Sequence, residues 1–266
     1  MSTSSSRPLA LVTGASTGIG LELAKQFATN GFDLVITAHS DALDDAVRTL
    51  EPLAGSVEPV RVDLAGDGGV DQLWGRVQEL GRPVAAAALN AGRGAGGAFT
   101  ETDLAAELEI IDLNVRSTVC LAKHLVRDMA ARDEGRILFT SSIASTMPGS
   151  FQAVYNASKS FVQSFALALR NELKDTGVTI TSLMPGPTDT EFFERADMLD
   201  TKVGADDKDD PADVARDGFE ALMAGKERVV SASMNTKLQG RGSRFLPDSA
   251  KAELHRRMAE PGSAKK

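Results

Sequence analysis

From residue 9 onward, short apolar runs alternate with stretches whose apolar residues recur at helical spacing. LALVT is followed by a helical pattern over 19–30, DLVITA by one over 42–53, and VEPVRVDL by one over 70–80. Such alternation predicts successive right-handed βαβ units and a doubly wound, parallel α/β sheet. The next apolar run, VAAAALNAG, is helical by propensity alone, but its place in the alternation and its end at Asn90-Ala91-Gly92 make it a strand.

Residues 104–132 are long enough for two helices in succession, GRILFTSS reads as a fifth strand and 152–174 as another long helix. Gly177 is expected to close that helix in a left-handed cap. VTITSLMPG is a sixth strand. Residues 187–210 show no clear periodicity and end in ADDKDD, which predicts an exposed, mobile loop. Pro211 suits the first turn of a helix running to Ala224, and ERVVSA makes a last strand.

Composition narrows the class. A chain of 266 residues with 42% hydrophobic but only 5% aromatic residues has the Ala, Val, Leu and Ile core of a parallel sheet covered on both faces. One catalytic domain is expected over residues 1–234, with a substrate loop at about 187–210. A basic extension occupies 235–266, where Lys237, Arg241, Arg244, Lys251, Arg256 and Arg257 form a solvated face. A net charge of −8 argues against nucleic acid and anionic membranes as partners. The polar start MSTSSSRP leads into an apolar run too short for a secretory signal, and no stretch reaches the ~20 apolar residues of a membrane span. A lone cysteine, Cys120, reads as core filling in an apolar helical pattern, and a reducing, cytoplasmic setting follows.

Candidate chemistry begins with TGASTGIG, which places Gly14, Gly18 and Gly20 between the first strand and the first helix. Glycines there permit a tight turn and close approach to a pyrophosphate, and the helix N-terminus offers free N–H groups. At the end of the second strand an acid would hold a ribose diol, whereas a basic residue would accommodate a 2′-phosphate. Ala38, His39 and Ser40 stand there, which favours NADP(H), with His39 and Ser40 as phosphate contacts. Asp41 competes with that reading because it would reach a diol or cap the next helix. The only tyrosine, Tyr155, lies one helical turn before Lys159. A phenol titrates near ~10 and moves protons at neutral pH only with a nearby cation. Ser142, at the end of the fifth strand, lies where open α/β sheets form their ligand crevice and would orient a carbonyl oxygen.

Taken jointly, these motifs resemble the short-chain dehydrogenase/reductase family of the compact single-domain kind, over Leu9 to about Val230. The resemblance implies a Rossmann-type fold and a hydride exchange between NADP(H), with NAD(H) as the alternative, and a carbonyl or secondary alcohol. It implies that Asn114, Ser142, Tyr155 and Lys159 are catalytic. Tyr155 would donate the proton, Ser142 orient the oxygen, Lys159 lower the tyrosine pKa and hold ribose hydroxyls, and Asn114 hold a water linking Lys159 to solvent. The cofactor would lie against Gly14, Ser16, Thr17, Gly18, Ile19, Gly20, Asp63, Leu64, Asn90, Ala91, Gly92, Pro185, Gly186, Thr188 and Thr190. Asp63 would meet the adenine, and Thr188 and Thr190 the carboxamide. No metal is expected, and a homodimer or homotetramer is.

Departures from the family pattern are Thr17 and His39, where NADP-using members often carry basic residues. Two other classes share the fold: a catalytically silent, nucleotide-sensing binding protein and a lyase or epimerase. The intact acid/base set speaks against the first, and the lack of an added substrate domain against the second. Phe192, Phe193, Met198 and Leu199 in EFFERADML would either line an apolar substrate pocket or pack the loop onto the body. Phe245 and Leu246 are candidates to cover it.

Overall fold

The computed structural model describes residues 7–231 and 246–265. Seven strands form one parallel sheet in the order β3-β2-β1-β4-β5-β6-β7. These are β1 (Leu9–Thr13), β2 (Asp33–Ala38), β3 (Val57–Arg61), β4 (Val84–Leu89), β5 (Gly135–Thr140), β6 (Val178–Pro185) and β7 (Arg228–Ser231). The strand order reverses direction between β1 and β4, and at such a switch point the connecting helices leave to opposite faces and open a crevice at the carboxyl ends.

Side-chain alternation builds two cores. In β1, Leu9 and Leu11 join one face while Ala10 and Val12 join the other. The first face is covered by α3 (Gly69–Glu79), α5 (Thr118–Arg132) and α6 (Ala153–Glu172), through Leu73, Leu121, Leu125, Met129 and Val162. The second is covered by α1 (Gly18–Thr29), α2 (Ala42–Leu50) and α9 (Pro211–Met223), through Leu23, Phe27, Leu43, Leu50 and Phe219. Ala86, Ala87 and Ala88 of β4 are fully buried at the centre, where pairing on both sides overrides the helical propensity of alanine. Pro59 is tolerated because β3 is the sheet edge.

The 104–132 stretch carries two helices in succession, α4 (Leu104–Ile111) and α5, joined by a π-helical segment (Asp112–Ser117). Three expectations are corrected. Cys120 is exposed, because the buried stripe of α5 runs through Leu121, Ala122, Leu125 and Met129 and leaves position 120 outside it. Gly177 does not cap α6, whose C-cap is Leu173. Gly177 is instead demanded by contact, since a Cβ there would lie 1.9 Å from the Asp133 carbonyl oxygen.

The third concerns residues 187–210, which are built rather than exposed throughout. They carry α7 (Phe192–Arg195) and α8 (Lys202–Ala205), a bridge between Thr188 and Asp209, and the buried side chains of Phe193, Met198 and Thr201. The Thr201 hydroxyl caps α8 by accepting from the Gly204 N–H at 3.1 Å. Pro211 opens α9 as expected, with the Asp210 carboxylate accepting from the Ala212 N–H at 2.8 Å.

Within the C-terminal extension, α10 (Asp248–Ala259) packs on the loop region: Ser150 donates to the Ala252 carbonyl, Lys202 N–H to Ser263, and Gly262 N–H to Asp200. Its basic residues are locally engaged, Lys251 with Asp248, Arg256 with Glu260 and Arg257 with Glu253. Lys237, Arg241, Arg244 and Phe245 lie outside the described residues. No described helix is long and apolar enough to cross a membrane.

Candidate active site

A cleft of about 1140 Å³ opens at the carboxyl ends of the strands, at the β1/β4 switch point. One end is the glycine loop. Gly14 and Gly18 adopt φ of 65° and 55°, which L side chains rarely adopt. A Cβ on Gly20 would sit 2.0 Å from the Gly14 carbonyl oxygen, so the turn closes only around glycine. Thr17, at the N-cap of α1, makes no side-chain cap bond, and no acid occupies the first turn. The uncapped N–H groups and positive dipole end therefore face the cleft with no side chain competing, an arrangement that fits the pyrophosphate of a dinucleotide.

Thr13 joins the two central strands at this point. Its hydroxyl accepts from the Asn90 and Ala91 N–H groups, each at 3.0 Å, while Thr140 donates to Asn90 Oδ1 at 3.1 Å. Asn90 thereby connects the ends of β1, β4 and β5. Gly14, Ser16, Thr17, Gly18, Ile19, Gly20, His39, Asp63, Leu64, Asn90, Ala91 and Gly92 all border the cleft, as do Pro185, Gly186, Thr188 and Thr190. Ser40 does not border it and Asp41 is turned away. Asp41 occupies the N-cap position of α2 without making a cap bond, and its carboxylate accepts instead from Arg61 at 2.7 Å.

Ser142, Tyr155 and Lys159 border the other half of the cleft. Ser142 ends the β5 exit, where its Oγ caps the 3₁₀ turn Ile143–Thr146 by accepting from the Ala144 N–H at 3.1 Å. Four further bonds fasten this exit to α6: Ser141 to the Lys159 carbonyl, Asn156 to the Ala144 and Met147 carbonyls, and Ser160 to the Ser145 carbonyl. They fix Ser142 against the α6 face that carries Tyr155 and Lys159. Lys159 Nζ donates to the Thr140 carbonyl at 3.0 Å and lies 5.9 Å from the Tyr155 ring centroid.

Burial pushes the Tyr155 phenol up to about 12, against the opposing pull of a hydrogen bond with Ser142. Burial likewise pushes the Lys159 ammonium down to about 8. In this arrangement desolvation of the phenolate is the larger influence on Tyr155. At neutral pH the phenol keeps its proton and the ammonium its charge.

Asn114 does not border the cleft. It lies buried in the π-helical segment behind the wall, where its Oδ1 accepts from the Arg93 N–H at 2.9 Å and its Nδ2 donates to the Arg93 carbonyl and Ser158 Oγ, each at 2.9 Å. Its side chain thus holds the strand leaving β4 against α6, and the Gly92 backbone passes between Asn114 and Lys159: a Cβ there would lie 3.1 Å from Lys159 Nζ and 3.2 Å from Asn114 Oδ1.

At the far end, Phe192 and Phe193 border the cleft, and the Phe192 ring lies 5.1 Å from that of Tyr155. Met198 packs instead against Gly96 in the body, and Leu199 and Leu246 are exposed outside the cleft. The sequence reading missed Leu254, His255 and Met258, which α10 brings to this end. Their pattern was legible as an apolar stripe in a helix, yet the basic residues around it suggested a solvated face. Among the described residues, no group of three or more His, Cys, Asp or Glu side chains is placed to hold a metal ion.

Comparison with known proteins agrees with this architecture. The short chain dehydrogenase family profile matches residues 8–198. An uncharacterized oxidoreductase of Staphylococcus saprophyticus is 32% identical over 216 residues, covering 80% of this chain and 90% of that protein. Among solved structures, a short-chain dehydrogenase from Sphingobium yanoikuyae in complex with NADPH superposes with a TM-score of 0.79 at 24% identity, covering 90% of this chain and 96% of that one. A short chain dehydrogenase/reductase from Burkholderia phymatum in complex with NAD gives 0.82 at 24%, covering 96% and 97%. The chain belongs to the short-chain dehydrogenase/reductase family of oxidoreductases.

Proposed function

We propose that this protein interconverts a carbonyl compound and the corresponding secondary alcohol with NADP(H), Tyr155 acting as the acid/base. The observation that carries the reading is the hydrogen bond between Tyr155 and Ser142 beside Lys159, between the glycine loop and the part of the cleft bordered by Phe192 and Phe193. A bound nicotinamide would supply or accept the hydride. Tyr155, protonated at neutral pH, gives its proton to the carbonyl oxygen as that oxygen gains charge, and takes it back in the oxidising direction. Ser142 orients the same oxygen and donates to it as charge develops. The Lys159 ammonium holds ribose hydroxyls and offsets the charge left on the phenolate. Asn114 positions the Arg93 backbone and the α6 residue Ser158, and links Lys159 to solvent through water.

NADP(H) is favoured over NAD(H) because His39 borders the cleft and Asp41, the acid that would hold a ribose diol, is paired with Arg61. Asp63 meets the adenine, and Thr188 and Thr190 the carboxamide. The body over 1–234 and the described part of 235–266 act together, since α10 closes the substrate end beside Phe192 and Phe193, and a substrate with an apolar body fits there. We place the protein in the cytoplasm, in line with its single cysteine, and as a homo-oligomer.

The Tyr155→Phe variant tests the mechanism: turnover of ketones with NADPH is expected to fall by about 10²–10⁴ while NADPH fluorescence titration stays unchanged. Retained turnover would sink the assignment, and lost nucleotide binding would point to damage of the fold.

A further inference from the structure

We propose that His255 is a substrate-recognition residue whose Nε2 accepts a hydrogen bond from a hydroxyl or amide N–H of the substrate, at a point remote from the reacting carbonyl. The proposal rests on the carbonyl-reductase reading above and names a feature of the substrate that this reading leaves open.

The residue comes from α10, outside every motif that defines the site. Its ring borders the cleft and is 5% exposed. Nδ1 lies 2.9 Å from the Ser150 carbonyl oxygen. A carbonyl oxygen only accepts, so Nδ1 carries the ring hydrogen, and in the neutral imidazole Nε2 is then a bare acceptor. Burial pushes the ring's pKa below the usual histidine value, with the Ser150 bond opposing, so the neutral form holds at pH 7.

With Nδ1 turned to Ser150, Nε2 stands on the opposite edge of the ring, and among the described residues it has no hydrogen-bond partner. Phe192, Phe193, Leu254 and Met258 on the cleft lining offer it no donor, while Arg195 and Lys208, also on the lining, are engaged with Glu191 and with the Gly204 and Asp206 carbonyls. An acceptor held in such surroundings is satisfied by a ligand group or by water, and leaving it unmet costs stability or affinity.

The ring cannot readily turn away. Ser150 also donates to the Ala252 carbonyl at 3.1 Å, and the end of the chain is tied to the loop by Gly262 N–H to Asp200 Oδ2 at 2.8 Å and Ala264 N–H to the Asp200 carbonyl at 3.0 Å. Nε2 is thus a fixed acceptor beside the apolar side chains of Phe192, Phe193, Leu254 and Met258. The matching compound has an apolar body, a carbonyl that reaches Tyr155 and a donor group that reaches α10.

The test compares linear and cyclic ketones, each paired with its monohydroxylated counterpart, using the full-length protein and NADPH. In the wild type, kcat/KM is expected to favour at least one hydroxylated member by about tenfold. His255→Asn keeps a side-chain N–H for the Ser150 carbonyl and removes the acceptor at the Nε2 position, so that ratio is expected to fall to about one. A merely structural role would lower both members together and leave the ratio intact. No preference in the wild type, or the same preference in His255→Asn, overturns the proposal. If no ketone is turned over, the carbonyl-reductase reading fails separately. The same pairs are then titrated by calorimetry against the protein with NADP+: tighter binding of a hydroxylated member, lost in His255→Asn, supports the assignment, and equal or absent binding overturns it.

Discussion

Arg61, at the end of the edge strand β3, donates to Asp41 across 2.7 Å, and its second nitrogen holds Asp44 at 2.6 Å. Arg61 pairs in register with Ala38, the residue before His39, so these charges stand at the turn where an adenosine ribose is expected. The pair determines which chemistry the turn offers. The guanidinium draws Asp41 away from a ribose diol and places a positive charge next to the turn that carries His39. Arg61→Ala is therefore expected to shift nucleotide preference toward NADH, lowering the ratio of NADH to NADPH dissociation constants by about three- to tenfold. Side-by-side fluorescence titrations measure that ratio, and an unchanged value would remove Arg61 from cofactor selection.

Much of this was legible in the sequence because the signals were local. The βαβ alternation, the glycine loop and the Tyr155–Lys159 spacing each follow from one turn or one helical face; the sheet order agrees with the alternation, and the family profile spans all three. What was not legible depended on contacts between distant segments. Gly177 looked like a cap, but its reason is the backbone of Asp133, 44 positions away in sequence. Cys120 sits in an apolar run, yet its angular position on α5 turns it outward. Residues 187–210 lack periodicity because two four-residue helices are too short to show one, and Phe193 and Met198 are buried by tertiary packing alone. The largest omission was α10: its charges are visible in sequence, whereas the apolar face that reaches the cleft acquires meaning only once Ser150 and Asp200 dock it.

Helices α4 and α6 leave an apolar surface open. Leu104 is 65% exposed and Phe161 42%, with Phe99, Leu108 and Ile111 also outward, and a shallow hollow lined by Ile111, Val115, Val154 and Ala157 lies among them. A contiguous apolar patch of this kind is suited to self-association. The wild type is expected to sediment as a dimer or tetramer, and the double change Leu108→Glu with Phe161→Glu to shift it toward monomer by placing charge on the buried face. A monomeric wild type, or a variant that sediments as the wild type does, would count against this surface.

The buried Lys159 also makes stability depend on pH in a defined direction. Its ammonium titrates near 8 in the folded chain and at 10.5 when unfolded, so between those values the unfolded chain binds more protons and stability rises with pH. Tyr155 acts above that range: with a folded value of about 12 against 10, the folded chain keeps a proton that the unfolded chain loses, and stability falls from pH 10 upward. Lys159→Met removes the first contribution and leaves the second. Urea unfolding from pH 7 to pH 10 is expected to show the wild type gaining on the variant by roughly 2–3 kcal/mol, the scale set by 1.36 kcal/mol for each tenfold change in proton affinity. The gain is confined to pH above about 8, because below it both folded and unfolded lysines are charged and the difference between the proteins is constant. Parallel stability curves across that window would mean that Lys159 is solvated well enough to keep an ordinary pKa, and would remove the desolvation argument for the whole pair.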